Sequence, residues 1–412
     1  GTPDNEEVIF RLDYNANNSS YLDFELFEVT VSLDYQNIEV NQVSTTITSN
    51  GRVGYSSPDA TNGLGFIYKS DPLLYEASLM IGNSASRVSN NTRSTTGNSD
   101  EHFVKTLRVT RDLNSSAAFE AHSEFTDSGS PNPLNISVKH RQLAYSAAPD
   151  DKYTIAEYVV QNNTATTLSG VYVGMFNDWD VDANGHDVTK YDASNRMGYV
   201  FGRNGGSNYA AVKLLDALDK PAYYPLSYQI AGDPLETGNG FTIAEKFATL
   251  SSGIKAQSLG ETSQNGLDVM FVIGAGPFSI PANGNAKVAF AYIAGDDLKD
   301  IQNSAAAAQI KYNLLSGVGP VDPNATSFEL KQNYPNPGTG ITTIEFSIPQ
   351  EAPVTLTLYN VLGKKVQTLI DDTLNQGTYK FPVNVQDLKS GVYFYKMQWG
   401  SKSKTLKMLV GR

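Results

Sequence analysis

The chain has 412 residues, no cysteine, 40% hydrophobic and 18% charged residues, and a formal net charge of −12. This composition suits a folded protein of two or three domains and gives disulfides no part in its stability. Its acidic balance speaks against nucleic acid, whose phosphates need a concentrated basic surface. The charge is uneven: from Asn324 onward ten Lys and Arg face six Asp and Glu, a balance of +4, so the preceding residues carry −16.

In chain order, the first signal is a strand. Phe27, Val29, Val31, Leu33 and Tyr35 alternate with polar residues, the period of a strand with one buried face. Asn50-Gly51 predicts a two-residue turn between Thr45–Ser49 and Arg52–Tyr55. Ser86 to Asp100 and Thr126 to Asn135 are rich in Ser, Asn, Gly and Pro and predict exposed loops, with a strand from Phe103 to Thr110 between them. Tyr153 to Gln161 and Leu168 to Phe176 are expected to pair across Asn162-Asn163-Thr164. Leu267 to Ile273 and Lys287 to Ile293 are expected to pair across Pro281 to Gly284. One helix is predicted after Asp296-Asp297, with Leu298, Ile301, Ala305, Ala308 and Tyr312 on one face. No apolar run reaches the roughly 20 residues of a membrane helix; the longest, Val269 to Phe278, is broken by glycines.

The densest polar cluster is Asp178-Trp179-Asp180-Val181-Asp182-Ala183-Asn184-Gly185-His186-Asp187. Asp180-x-Asp182-x-Asn184-Gly185 matches the first half of a calcium loop, in which oxygens at alternate positions converge once a glycine permits a sharp turn. The second half departs from the pattern, with Tyr191 where a glutamate belongs and Asp192 beside it. The candidate ligands of a calcium ion, the only cofactor suggested, are therefore Asp178, Asp180, Asp182, Asn184, Asp187 and Asp192. The competing reading is an acidic loop whose carboxylates cap their own backbone. The four histidines, His102, His122, His140 and His186, form no zinc-hydrolase motif, and no Gly-x-Ser-x-Gly elbow or phosphate loop occurs. No catalytic residue is assigned, and the chain is expected not to be an enzyme.

The C-terminal region carries the most specific pattern. It opens with Leu330-Lys331-Gln332-Asn333-Tyr334-Pro335-Asn336-Pro337, continues with alternating Ile344–Ile348 and Val354–Leu358, and closes with Ser390-Gly391-Val392-Tyr393-Phe394-Tyr395 and a basic strand, Lys404 to Val410. Together these resemble the type A C-terminal sorting domain of proteins exported by the bacterial type IX secretion system. The family's Phe-Asn-Pro is replaced by Gly338-Thr339-Gly340, which predicts a looser loop. The resemblance implies passage through the periplasm to the cell surface or medium, recognition of residues 328–412 by the secretion machinery, removal of that region after export, and a secretory signal or further sequence before Gly1. A second resemblance rests on Tyr172 to Asp180, Gly274-Ala275-Gly276-Pro277-Phe278 and Ala289 to Leu298. There, residues 50–315 are similar to the β-rich region downstream of the protease domain in exported subtilisin-like proteins.

The expected fold is all-β. It comprises an N-terminal β segment (1–45), a large β-sandwich with one C-terminal helix (46–316), a linker (317–327) and a small antiparallel β-sandwich (328–412). The expected function is that of a secreted, non-catalytic β protein. The alternatives are a self-assembling fibre or layer subunit, hence a homo-oligomer, and an accessory fragment of an exported protease or a carbohydrate-binding module. The long alternating strand from Leu22 to Tyr35 bears on self-assembly: such a strand closes its own sandwich or adds to a neighbour's sheet.

Overall fold

The computed structural model describes residues 6–16, 21–31, 34–57, 59–95, 98–182, 185–205, 208–217, 220–230, 233, 240–315, 325–339, 341–374, 376–385 and 388–411. The chain divides into two compact units, residues 1–305 and 306–412. Both are built from antiparallel sheets, so the fold is all-β as the alternation predicts.

Two large sheets make the body. The nine-stranded sheet runs, edge to edge, through Val104–Arg111, Phe119–Thr126, Ile136–Ala144, Tyr153–Asn162, Asn285–Gly295, Tyr209–Leu214, Met197–Gly202, Asp187–Asp192 and Ser258–Leu259. The ten-stranded sheet starts at an edge with Pro221–Leu226 and continues through Met270–Ile280, Leu168–Trp179 and Leu74–Ser84. Alternate residues point to opposite faces of a strand, so one face of each sheet can be wholly apolar. Val138, Tyr158, Val212 and Phe290 from the first sheet meet Leu79, Val173, Met175, Phe271 and Ile273 from the second in one core. Each such side chain, taken out of water, contributes roughly 1.5–3 kcal/mol. Trp179 is fully buried there, edge-on to Phe66 at 5.7 Å and tilted against Tyr292 at 6.4 Å. The Tyr292 hydroxyl donates to Asn177 Oδ1 at 3.0 Å and ties the two sheets together.

Two expected strand pairs are corrected by this architecture. Tyr153–Asn162 and Leu168–Trp179 are strands, but they lie in different sheets, and so do Met270–Ile280 and Asn285–Gly295. Each connection is a crossover between layers rather than a hairpin. Buried Asn162 joins the two crossovers: its amide donates to the carbonyls of Thr166 (2.8 Å), Ile280 (3.1 Å) and Pro281 (3.0 Å). Its Oδ1 accepts from the amide and hydroxyl of Thr164, so the buried polar side chain is fully used.

The two expected exposed loops are also corrected. Arg87–Asn90 is a strand on Leu74–Ser84, and Ser89, Asn90, Asn91 and Thr92 are buried. In the second segment Asp127 is buried and accepts from the Leu134 and Ile136 amides and the Ser89 hydroxyl, standing in for missing backbone partners. His102, just after the first of these segments, is also buried, with its Nδ1 facing the Asn90 amide at 3.3 Å.

The predicted helix is Leu298–Leu315. Asp297 caps it, its Oδ1 accepting from the Asp300 amide at 2.8 Å, and Ile301, Ala305, Ala308 and Tyr312 are buried as the spacing requires. A second helix, Ile243–Ser251, was not expected. Thr242 and Glu245 form a reciprocal capping box at its start, and Leu250 packs with Phe176, Met270 and Val272 on the outer face of the ten-stranded sheet.

The N-terminal strands stand apart. Glu6–Ala16 and Tyr21–Val31 form a two-stranded hairpin that pairs with no other described strand. Of the alternating stretch predicted to continue to Tyr35, Tyr21–Val31 is a strand of this hairpin, and residues 32–33 lie outside the described residues. Tyr35–Ile38 is a separate strand on Val43–Thr48 in the large sheet.

The second unit is a small sandwich. A three-stranded sheet (Glu329–Leu330, Ile341–Ile348, Gly377–Asn384) faces a four-stranded one in the order Lys365–Leu374, Ala352–Asn360, Gly391–Trp399, Lys402–Val410. Leu330, Ile344, Phe346, Leu356, Leu358, Tyr395 and Met408 fill the space between them.

Candidate functional site

The acidic segment leaves the body core at Trp179, the last residue of its strand. Pairing in register sets Asp178 opposite Met270, which carries Asp268 to the same end of the neighbouring strand. The carboxylates of Asp178, Asp180 and Asp268 gather there, with one oxygen of each within 4.8 Å of the others. Asp180 and Asp268, with Asp71, Tyr55, Tyr75 and Tyr228, border a depression of about 830 Å³. The Tyr228 hydroxyl donates to Asp268 Oδ2 at 2.8 Å.

The predicted ligands separate into groups. Asp178 and Asp180 come together with Asp268. Asp187 is fully buried, and its Oδ1 accepts from the Asp182 amide at 2.9 Å, closing a turn in which Gly185 takes a left-handed φ of 65°. Asn184 lies outside the described residues. Asp192 sits elsewhere, accepting from both nitrogens of Asn195 and from Gln302 at 2.8–3.1 Å, where it holds a turn. Asp268 was missed because it lies far along the chain; only the pairing of two strands brings it in.

Burial governs the charge of these groups. It pushes Asp178 up to about 7, against the pull of the Arg93 guanidinium, with Asp268 and Glu76 adding to the rise. Burial likewise pushes Asp187 up to about 8, against the Asp182 amide and with Asp182, Asp180 and Asp268 nearby. Two carboxylate oxygens in this group, Oδ2 of Asp187 and Oδ1 of Asp268, are shielded from solvent and have no hydrogen-bond donor among the described residues. The Asp187 and Leu267 backbones bond to each other at 2.9 Å, which places Asp187 next to Asp268. Among the described residues, Arg93 is the one cation bonded to the triad, holding Asp178 and, through Nε at 2.8 Å, Glu76. The cluster of Asp112, Glu120 and His122 differs in kind, because Glu120 is already engaged by Arg141 at 2.6 Å and by Ser115.

In the second unit, the motif residues turn out to be structural. The Tyr395 hydroxyl accepts from the Asn333 amide and donates to the Lys331 carbonyl, both at 2.9 Å. Asn333 Nδ2 donates to Thr342 Oγ1, and Asn336 Oδ1 accepts from the Leu409 amide, each at 2.8 Å. The loop expected to be loose is tethered at Gly338, whose amide donates to the Leu409 carbonyl at 2.9 Å and whose carbonyl accepts from Gly411 at 2.8 Å. The opening motif is thus sewn to the last two strands, which explains why widely spaced stretches of sequence occur together.

No curated protein matches the sequence. Among solved structures, a polysaccharide lyase overlaps 92% of the chain and 46% of its own length, at 10% identity and a TM-score of 0.30, so this chain spans about half of that protein. A galactose mutarotase-like protein from Lactobacillus casei overlaps 63% of the chain and 99% of its own, at 7% identity and a TM-score of 0.34. PorZ, a surface component of the type IX secretion system of Porphyromonas gingivalis, overlaps 94% of the chain and 54% of its own, at 10% identity and a TM-score of 0.15. None of these overlaps is close enough to transfer a fold or an activity to the body. The family of the secretion system C-terminal sorting domain matches residues 332–411. That match, the two-sheet sandwich and the hydrogen bonds that join its motifs identify the C-terminal unit as a sorting domain of the type IX secretion system.

Proposed function

We propose that the chain is cargo of the type IX secretion system and acts at the cell surface or in the medium as a non-catalytic protein. The observation that carries this reading is the sorting domain over residues 332–411. It forms a compact unit with its own core, so it can be recognised independently of what precedes it. Deleting residues 324–412 is expected to leave the body folded and to abolish its appearance in the medium and on the surface, with accumulation in the periplasm. Normal export of the truncated protein would overturn the reading.

Calcium is proposed as the ligand of the Asp178, Asp180 and Asp268 carboxylates. The two shielded, unpartnered oxygens of Asp187 and Asp268 support a cation, since a hard divalent ion is bound by converging oxygens. Binding only to the folded state at a hundredfold excess over Kd stabilises by about 2.7 kcal/mol. Calorimetry is therefore expected to show a calcium-dependent rise of several degrees in the wild type and none in Asp268→Asn. Equal shifts in both proteins would remove the site.

Self-association is a second reading of the body. The N-terminal hairpin favours it: the strand that could have closed the sandwich instead lies outside both large sheets.

A further inference from the structure

The hairpin exposes an unusual amount of apolar surface. Pairing in register sets Phe10 opposite Phe27, stacked at 5.7 Å, on the face that also carries Leu12 and Tyr14. The other face carries Ile9, Phe24 and Leu26, with the Arg11 guanidinium 4.2 Å above the Phe24 ring. All seven large apolar residues are 43–60% exposed. A two-stranded hairpin is at best marginally stable in water, and contiguous apolar surface of this kind marks an interaction site. The hairpin is also acidic: Glu6, Glu7, Asp13, Asp23, Glu25 and Glu28 stand against Arg11 alone. Asp13, Asp23 and Glu25 are exposed.

The sorting unit has a surface of the complementary kind. Across its four-stranded sheet, Lys365, Tyr359, Phe394 and Lys407 are successive cross-strand partners. Tyr359 and Phe394 line a shallow depression of about 450 Å³ together with Val361, Lys396 and Thr405. Val361 and Leu362 beside it are 63% and 87% exposed. Lys365, Lys396 and Lys407 have no carboxylate partner among the described residues. The surface is therefore an aromatic strip bordered by lysines with no carboxylate partner among the described residues, on a unit with a balance of +4 from Asn324 onward.

We infer that, in molecules that keep the sorting unit, the acidic, aromatic hairpin of one copy packs on the basic, aromatic outer face of the sorting unit of a second copy. This rests on the self-association reading and specifies its surfaces. Matching apolar area supplies the contact, and opposite charge sets partner and orientation. The two surfaces differ, so the contact is heterologous: each copy keeps one free hairpin and one free face, and copies add head to tail.

Two full-length charge-swapped variants test this. One carries Asp13→Lys, Asp23→Lys and Glu25→Lys; the other carries Lys365→Glu, Lys396→Glu and Lys407→Glu. In sedimentation and light scattering the wild type is expected to grow in mass with concentration and to dissociate as salt rises. Each variant alone is expected to associate about tenfold more weakly or worse, because like charges then face each other. An equimolar mixture is expected to regain association, since each swapped surface meets its complement, and that recovery also shows both variants to be folded. Wild-type-like association of either variant alone, or a mixture that stays monomeric, would overturn the docking surfaces and leave self-association standing. A wild type that is monomeric at every concentration would overturn both, without bearing on export.

Discussion

Replacing Arg93 with alanine is expected to destabilise the body by about 3–5 kcal/mol, the usual cost of stranding a buried charge. Glu76 and Asp178 are each 4% exposed, and Arg93 bridges them with its guanidinium while its backbone amide donates to Glu76 at 3.0 Å. The same guanidinium lies 5.1 Å from the Phe176 ring centre, so its planar shape is used twice. After its removal Arg52 is the cation left in contact with Glu76 among the described residues, at 3.7 Å and already donating to the Asn91 carbonyl. Asp178 would be left among Asp180 and Asp268 with no cation bonded to it among the described residues. Lysine at this position is expected to recover less than half of the loss, because a point charge cannot span both carboxylates as the fork does. Urea unfolding reads the effect as a shift in midpoint at constant slope. A loss below about 1 kcal/mol would mean that the pair is screened as surface pairs are.

The second large effect is on acid stability. His140 is fully buried, with its ring stacked on Tyr158 at 4.5 Å, and burial holds it down to about 3 against the opposing pull of the Thr48 carbonyl. In the unfolded chain a histidine titrates near 6.5. Between those values the unfolded chain binds the proton and the folded one does not, so stability present above about pH 6.5 is lost as pH falls toward 3. At 1.36 kcal/mol per unit, the loss from pH 7 to pH 4 is about 3 kcal/mol. Asp178 and Asp187 work the other way: their raised values make the folded state the better proton acceptor, and acid favours it. The profile of the wild type is therefore a sum of opposing contributions. Its difference from His140→Phe isolates the histidine, since phenylalanine keeps a stacking ring and the Thr48 carbonyl still accepts from Ser123 at 2.8 Å. The wild-type advantage is expected to shrink by about 3 kcal/mol between pH 7 and pH 4; a flat difference would show that His140 does not control acid unfolding.

Strand identity was legible in the sequence wherever one face is buried, because alternation records a single buried face. Partnership was not. Leu168–Trp179 and Tyr153–Asn162 read as a hairpin because a short polar connection suits a turn as well as a crossover between layers, and only the Asn162 contacts distinguish the two. Polar composition misled at Ser89 to Thr92 and at Asp127, where buried side chains replace backbone partners. The helix Ile243–Ser251 left a readable mark, Thr242 with Glu245 three residues on, that was passed over. In the candidate site, Asp178 and Asp180 were legible as a run of alternate carboxylates, whereas Asp268 depends on register and Asp192 was included by proximity alone. The C-terminal unit was the most legible part, since its motifs record contacts that are all local to one small sandwich.

The place of Asn285–Gly295 in the nine-stranded sheet has a consequence for the order in which the molecule is made. This strand, the last of the body, lies between Tyr153–Asn162 and Tyr209–Leu214 and joins two otherwise separate groups of strands. A nascent chain that ends before Asn285 would hold both groups with raw inner edges, the kind of surface that recruits stray strands. Closure waits for a segment translated more than 120 residues after its first neighbour, a long-range step that slows folding. The export address is encoded later still, from Gln332. Translation thus lays down the keystone before the label, and a prematurely ended chain that lacks the one also lacks the other.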